Sequence, residues 1–333
     1  MKKSFILTIL PTLLLGGVIL VLLSFWLKKD EVNEYQYDLA IMNKSFKRDL
    51  ERSVILYQSF ERYFLGADKT PFFIVIPAKD WDLFVNRFKI LKDNNDIKNT
   101  PQFISEQEVF ERCNEPDVSG NGNIAQQVVK LCFGSTKIAR NYIMMDSDNY
   151  FTKDFNPKIL FKNGDLKTFV YKLPQETIEK NKHTMLGCCI NPILRNNGQS
   201  ISAYDMHVFI KDFFGNKNQE FYSFVISPFL FNSDALERMK KWINKKGGYK
   251  ISTLIHLIPF EMQWYGEYML QHEKFIKADG IMTLVSSPHE CHPEDAGSNA
   301  YGFWFQSVIY DYENHGPAKN NDQLIYVRPA HCN

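Results

Sequence analysis

The stretch Tyr142-Ile143-Met144-Met145-Asp146-Ser147-Asp148-Asn149 decides how this chain is read. Four apolar residues run directly into two carboxylates one residue apart. Side chains at i and i+2 of an extended chain point to the same side. Asp146 and Asp148 therefore aim their oxygens at one place just past a strand end. Two like charges so close repel, and desolvating them is costly. A hard divalent cation, Mn²⁺ or Mg²⁺, resolves that conflict, because it accepts carboxylate oxygen and leaves positions for phosphate. The same tripeptide also arises as a plain solvated turn, so its meaning depends on the chain around it.

Outward from that point, strand and helix signals alternate. Residues 38–42 form a short apolar strand, and 49–64 carry a helical stripe of Leu50, Val54, Tyr57, Phe60 and Phe64. Residues 72–76 are a second strand closed by Pro77, and 80–91 a helix with Asp80 as its expected N-cap. A weaker strand at 102–105, a helix at 122–133 and a strand at 139–145 follow. This alternation predicts an α/β fold, a mostly parallel sheet with helices on both faces. Sites in such sheets lie beyond the carboxyl ends of the strands, where Asp146 and Asp148 stand. The second half is less regular. Residues 167–173 and 184–190 read as strands, and 223–231 as an apolar run interrupted by Pro228, which suits an edge or a bulge. Helical patterns cover 234–245, with Ser233 as a cap, and 259–272; the tail after Asp279 is loop-rich and dense in His, Pro and aromatics.

The chain has 333 residues and a net charge of +1, enough for a sizeable core and without the basic excess that nucleic-acid binding requires. Cys113, Cys132, Cys188, Cys189, Cys291 and Cys332 show no framework spacing and no Cys/His ligand set, so structural zinc is not expected and most are read as buried apolar residues.

No charge occurs from Ser4 to Leu27. At a rise of about 1.5 Å per residue, about 24 residues span roughly 36 Å, enough to cross a bilayer's hydrocarbon core. Lys2 and Lys3 precede the segment; Trp26, Lys28 and Lys29 close it as an interface belt. A cleaved signal peptide would end in small residues, whereas this one ends in Phe25, Trp26 and Leu27. The expectation is an uncleaved anchor over 1–30 and a polar stalk over 31–37. Equal lysine counts on the two flanks leave the orientation undecided.

Four blocks carry a resemblance to nucleotide-sugar glycosyltransferases of the GT-A type, and more narrowly to a poorly characterised family of DxD glycosyltransferase-like proteins. They are Met42 to Glu51 with the helix through Ser59; Phe73 to Ile76 with Ala78, Lys79, Asp80 and Phe84; Gly122 to Leu131 leading into Asp146-Ser147-Asp148; and Pro228 to Phe231 with Phe260, Glu261 and Gly266. The resemblance covers roughly residues 38 to 275, and it departs from the family pattern at Phe260, where a small polar residue is usual. It implies a GT-A-like Rossmann-type fold with a nucleotide-sugar-binding half at 38–160 and an acceptor-binding half with the tail at 161–333. It also implies a metal-dependent transferase that takes a nucleoside-diphosphate sugar as donor and a cell-surface glycan or glycolipid as acceptor.

Within that expectation Asp148 ligates the metal directly, and Asp146 contacts ribose or reaches the metal, directly or through water. Gln126 and Gln127 are spaced to share a helix face with Lys130, which would offer an amide to sugar and an ammonium to phosphate. Asn43 follows the first strand and is expected at the base or ribose. Asn43-Lys44-Ser45 is also a glycosylation sequon, and a glycan there would block a nucleotide. That argument favours a cytosolic catalytic domain, and the expected location is the cytosolic face of a bacterial inner membrane; for a eukaryotic chain the expectation is a Golgi lumen. Glu261 is the expected general base, with Glu267 next, and one of His289, His292 and His331 is a candidate to complete the metal shell. Two other readings stay open. An Asp-nucleophile phosphatase also uses Asp-x-Asp, but on its first strand. A membrane-tethered carbohydrate- or Ca²⁺-binding protein would use the pair without catalysis.

Overall fold

The computed structural model describes residues 35–147, 149–151, 154–169, 171–186, 201–224 and 229–273, with short strands at Ile276–Ala278, Ser307–Ile309 and Ile325–Pro329. The apolar Ser4–Leu27 segment, Asp148, His289, His292 and His331 lie outside these residues. Among the described residues no helix is long and apolar enough to cross a membrane. The fold belongs to the unit Tyr37–Asn333.

Its centre is a five-stranded sheet of β1 (Tyr37–Lys44), β2 (Phe72–Ile76), β3 (Gln102–Ser105), β4 (Ala139–Asp146) and β5 (Phe229–Asn232), in the order β5-β4-β1-β2-β3. The first four are mutually parallel and β5 runs antiparallel to β4 at one edge. This is the mostly parallel α/β arrangement expected, and the sheet draws on both halves of the chain. Helices α1 (Leu50–Tyr63), α2 (Trp81–Asp93), α3 (Glu106–Cys113) and α4 (Gly122–Cys132) connect the early strands. Helices α5 (Gln175–His183), α6 (Ala203–Phe214), α7 (Ser233–Gly247), α8 (Ile251–Leu257) and α9 (Glu261–His272) follow.

The strands are nearly continuous apolar runs because helices cover both faces. Alternation along each strand sorts the side chains between two cores. Ala40, Met42, Phe73, Val75, Tyr142 and Met144 pack with Val128 and Val129 of α4, Met239 of α7 and Trp264 of α9. Ile41, Ile74, Ile76, Ile143 and Met145 pack on the other face with Leu56 and Phe60 of α1 and Phe84 and Phe88 of α2. Each buried Val, Leu, Ile, Phe or Met side chain among them stabilises the fold by about 1.5–3 kcal/mol. Continuing the alternation by one place sends Asn43 toward α1. It sends Lys44 and Asp146 toward the side of α3, α4 and α9.

Local chemistry differs from expectation at several ends. Asp80 makes no side-chain cap for α2; its carboxylate instead accepts from the Lys47 backbone N–H at 2.9 Å, tying the β1 and β2 loops together. The cap of α7 is Asn232, which accepts from the Ala235 N–H, while Ser233 donates to the Ala139 carbonyl at 2.6 Å. Residues 184–186 contribute only a bridge between Met185 and Ser202, and 187–190 lie outside the described residues. The tail contains the short strands Ser307–Ile309 and Ile325–Pro329, and the second pairs antiparallel with Asn149–Phe151, directly after the Asp146 turn.

Candidate active site

At the carboxyl ends of β1 to β3 lies a cavity of about 930 Å³. Lys44, Phe46, Lys47 and Arg48 from the β1 loop and Lys79 and Asp80 from the β2 loop line it. Glu106, Gln126 and the N-terminal turn of α4 at Asn121 to Asn123 close the far side. Lys47, Arg48 and Lys79 are exposed at its rim. The positive end of an α-helix and three exposed cations favour an anion there. Lys44 is buried and bonded to Glu106; burial pulls its ammonium below the ordinary lysine range, and Glu106 opposes that pull.

Lys44 is the register partner of Asp146 across the β1–β4 ladder. Asp146 thus stands one strand, about 4.8 Å, from the cavity wall. Its side chain is 29% exposed, and its Oδ1 lies 3.2 Å from the Lys130 ammonium. The same ammonium sits 3.0 Å from Glu261 Oε1. Lys130 is buried, held over the Phe229 ring and fixed through its carbonyl, which accepts from Tyr142 Oη at 2.6 Å. Burial alone would lower the Lys130 pKa; the two carboxylates outweigh it and the net shift is upward. Burial raises the pKa of Glu261, with Lys130 acting against it.

The expected site residues therefore divide. Asp146, Gln126 and the β1 loop meet at the carboxyl edge. Lys130 and Gln127 turn inward rather than toward a substrate: with its amide nitrogen facing the carboxylate, Gln127 donates to both oxygens of Glu261, at 2.7 Å to Oε1. Glu261, the expected base, is buried at the first turn of α9 with both oxygens taken. Asn43 is fully buried on the α1 side. It donates to the Met145 carbonyl at 2.9 Å, and its Oδ1 lies 2.9 Å from Ser53 Oγ. Its amide is committed to the fold rather than to a base or ribose, and a glycan has no access to it. Glu267 is buried and bonded by Asn216 and Gln263.

The sequence reading named the β1 loop but missed its cations. Lys44 ends a parallel strand, Lys47 and Arg48 follow within four residues, and Lys79 follows the next strand. That placement is the signal that pointed to them.

The carboxylate pair is the donor set a hard cation takes, and the observed exposure of Asp146 at the strand end fits such an ion. Among the described residues, Cys113, Glu115 and Cys132 also bring ligand atoms within 4.8 Å of one another. There the two sulfurs are bonded to each other, and Glu115 accepts from the Ile251 and Ser252 N–H groups, so the cluster is structural.

A family of unknown function (DUF6492) matches residues 37–185. No curated protein sequence matches the chain. Among solved structures, the apo form of the bifunctional glycosyltransferase WbbM overlays with a TM-score of 0.43 at 10% identity, over 73% of this chain. This chain spans 39% of that protein's chain.

Proposed function

We propose that this protein is a metal-dependent glycosyltransferase, moving a sugar from a nucleoside-diphosphate sugar to a glycan or glycolipid acceptor. One observation carries the reading: a cation-rimmed cavity at the carboxyl ends of parallel strands, with Asp146 one strand away and Asp148 two residues on. In this reading Lys47, Arg48 and Lys79 take the donor's diphosphate together with the N-terminus of α4, and Phe46 offers a ring face to the base. Gln126, on the same wall, is placed for the donor's hydroxyls. Asp146 and Asp148 hold Mn²⁺ or Mg²⁺, which when bound neutralises charge on the departing diphosphate. The apolar Ser4–Leu27 segment keeps the site near a membrane-bound acceptor.

The test is a thermal-shift and calorimetric screen of the full-length protein with Mn²⁺ and a panel of nucleoside diphosphates. A ligand at a hundredfold its Kd stabilises by about 2.7 kcal/mol. The reading expects one nucleotide to do so in a Mn²⁺-dependent way, and Asp148→Ala to abolish the effect. A screen in which no nucleoside diphosphate raises the melting temperature refutes it.

A further inference from the structure

We propose that Glu261 and Lys130 set the cation affinity of Asp146, with Glu261 drawing the Lys130 ammonium partly off that carboxylate. Glu261 is on this account a positioning residue and not a proton acceptor. The inference rests on the reading of Asp146 as a cation ligand.

The argument begins with charge. Two carboxylates, Asp146 and Glu261, share one ammonium, at 3.2 and 3.0 Å. The cluster therefore carries one uncompensated negative charge. Its members differ in access: the side chains of Lys130 and Glu261 are 4% and 7% exposed, and that of Asp146 is 29% exposed. An arriving cation meets Asp146 alone. Lys130 is the cation already there, so it competes for the same oxygens.

Glu261 decides the competition. When Asp146 turns to another cation, Lys130 keeps a partner, because Gln127 and the first turn of α9 hold Glu261 in place. The Phe229 ring, 5.2 Å from the ammonium, adds a second attractive surface. Without Glu261 a buried lysine would lose its last carboxylate, a costly state. Lys130 would then hold Asp146 tightly and exclude the cation. Without Lys130, Asp146 would bind the cation unopposed.

The two single variants should therefore move affinity in opposite directions, which a merely structural role does not do. The experiment titrates the full-length protein with Mn²⁺ alone, by calorimetry, without donor. Glu261→Gln is expected to weaken Mn²⁺ binding about tenfold and Lys130→Gln to strengthen it about tenfold, the direction set by the charge each removes. The double variant returns near wild type, and Lys130→Arg, which keeps the charge, stays at wild-type affinity. The inference is overturned if Glu261→Gln and Lys130→Gln both weaken binding. It is equally overturned if Lys130→Arg strengthens binding as much as Lys130→Gln. Wild-type protein that takes up no Mn²⁺ refutes the metal reading itself. Wild-type uptake unchanged by Glu261→Gln refutes only this inference.

Discussion

Lys44 and Glu106 form an ion pair of 2.8 Å at the cavity wall, with side chains only 5% and 4% exposed. The ammonium also donates to the Ser45 carbonyl at 2.7 Å, so it binds the end of β1 to the start of α3. A pair this dry is held by mutual need, because either partner alone is a buried charge. Glu106→Gln is expected to lower unfolding stability by about 3–5 kcal/mol. The paired change Lys44→Met with Glu106→Leu is expected to recover most of that loss. Urea denaturation of the wild type and the two variants checks it; equal losses in the single and double variants would contradict the account.

A second buried cluster gives a pH prediction. Burial raises Glu267 from its ordinary 4.5 to about 7, against bonds from Asn216 and Gln263 and the field of Lys211. Burial, with Lys211 nearby, lowers His207 from 6.5 to about 4, and its Nδ1 has no hydrogen-bond partner. The folded state binds more protons at Glu267 than the unfolded chain does. That contribution is therefore complete below pH 4.5 and disappears as pH rises through 7. At about 1.4 kcal/mol per tenfold change in proton affinity it is on the order of 3 kcal/mol. His207 has the opposite sign, and its contribution is lost as pH falls from 6.5 to 4. Wild-type stability should thus be nearly flat where the two overlap. Glu267→Gln should expose the acid-side loss, and His207→Asn the alkaline-side loss. Denaturation curves from pH 4.5 to 8 read both slopes; parallel profiles for all three proteins would refute the assignment.

Much of the frame was legible because its signals are local and repeated. The strands at 102–105 and 139–146 and the helix at 122–132 fall within a residue of where period and punctuation put them. The direction in which Asp146 points follows from strand parity, once Tyr142 and Met144 are known to face α4. Parity also explains the misplacement of Asn43, since a one-residue step moves a side chain to the opposite core. The pairing of Lys130 with Glu261, 131 residues apart, left no sequence signal. A lysine on a helix reads the same whether solvent or a distant carboxylate receives it. α6 was overlooked although its start carries a capping box, Ser202 with Asp205. Its buried stripe, Ala203, Met206, His207, Ile210, Lys211 and Phe214, includes a histidine and a lysine, so the apolar pattern is blurred.

Cys113 and Cys132, whose spacing in the sequence shows no framework, are joined in a disulfide with Cα atoms 5.5 Å apart. The bond links the ends of α3 and α4 two residues beyond Lys130. Closing a loop of 19 residues is worth about 3 kcal/mol. Reduction is therefore expected to lower stability by that order, and non-reducing peptide mapping to recover the two cysteines as one linked species. Such a bond persists in oxidising compartments. The sequon at Asn43, which had favoured the cytosol, is silent on this point because its amide is buried in the folded protein. Recovery of both thiols free from protein isolated without reductant would remove the bond and its argument.

Gly266, in the middle of α9, packs against Phe224: a Cβ there would fall 2.0 Å from the ring's Cγ. Two effects oppose each other in Gly266→Ala. Alanine improves the helix by about 1 kcal/mol, while overpacking a filled core costs about 1–3 kcal/mol. Phe224 is only 3% exposed and belongs to the core that holds Trp264 and Tyr265, so the ring has little room and the cost should win. Gly266→Ala is expected to destabilise by about 1–2 kcal/mol, and adding Phe224→Leu to restore stability above that of Phe224→Leu alone. Relief of strain tilts α9 and moves Glu261, one and a half turns away, against Lys130. The single variant should therefore also alter Mn²⁺ affinity, whereas the double variant should not. A Gly266→Ala protein as stable as wild type would show that the ring yields freely and that α9 is not pinned there.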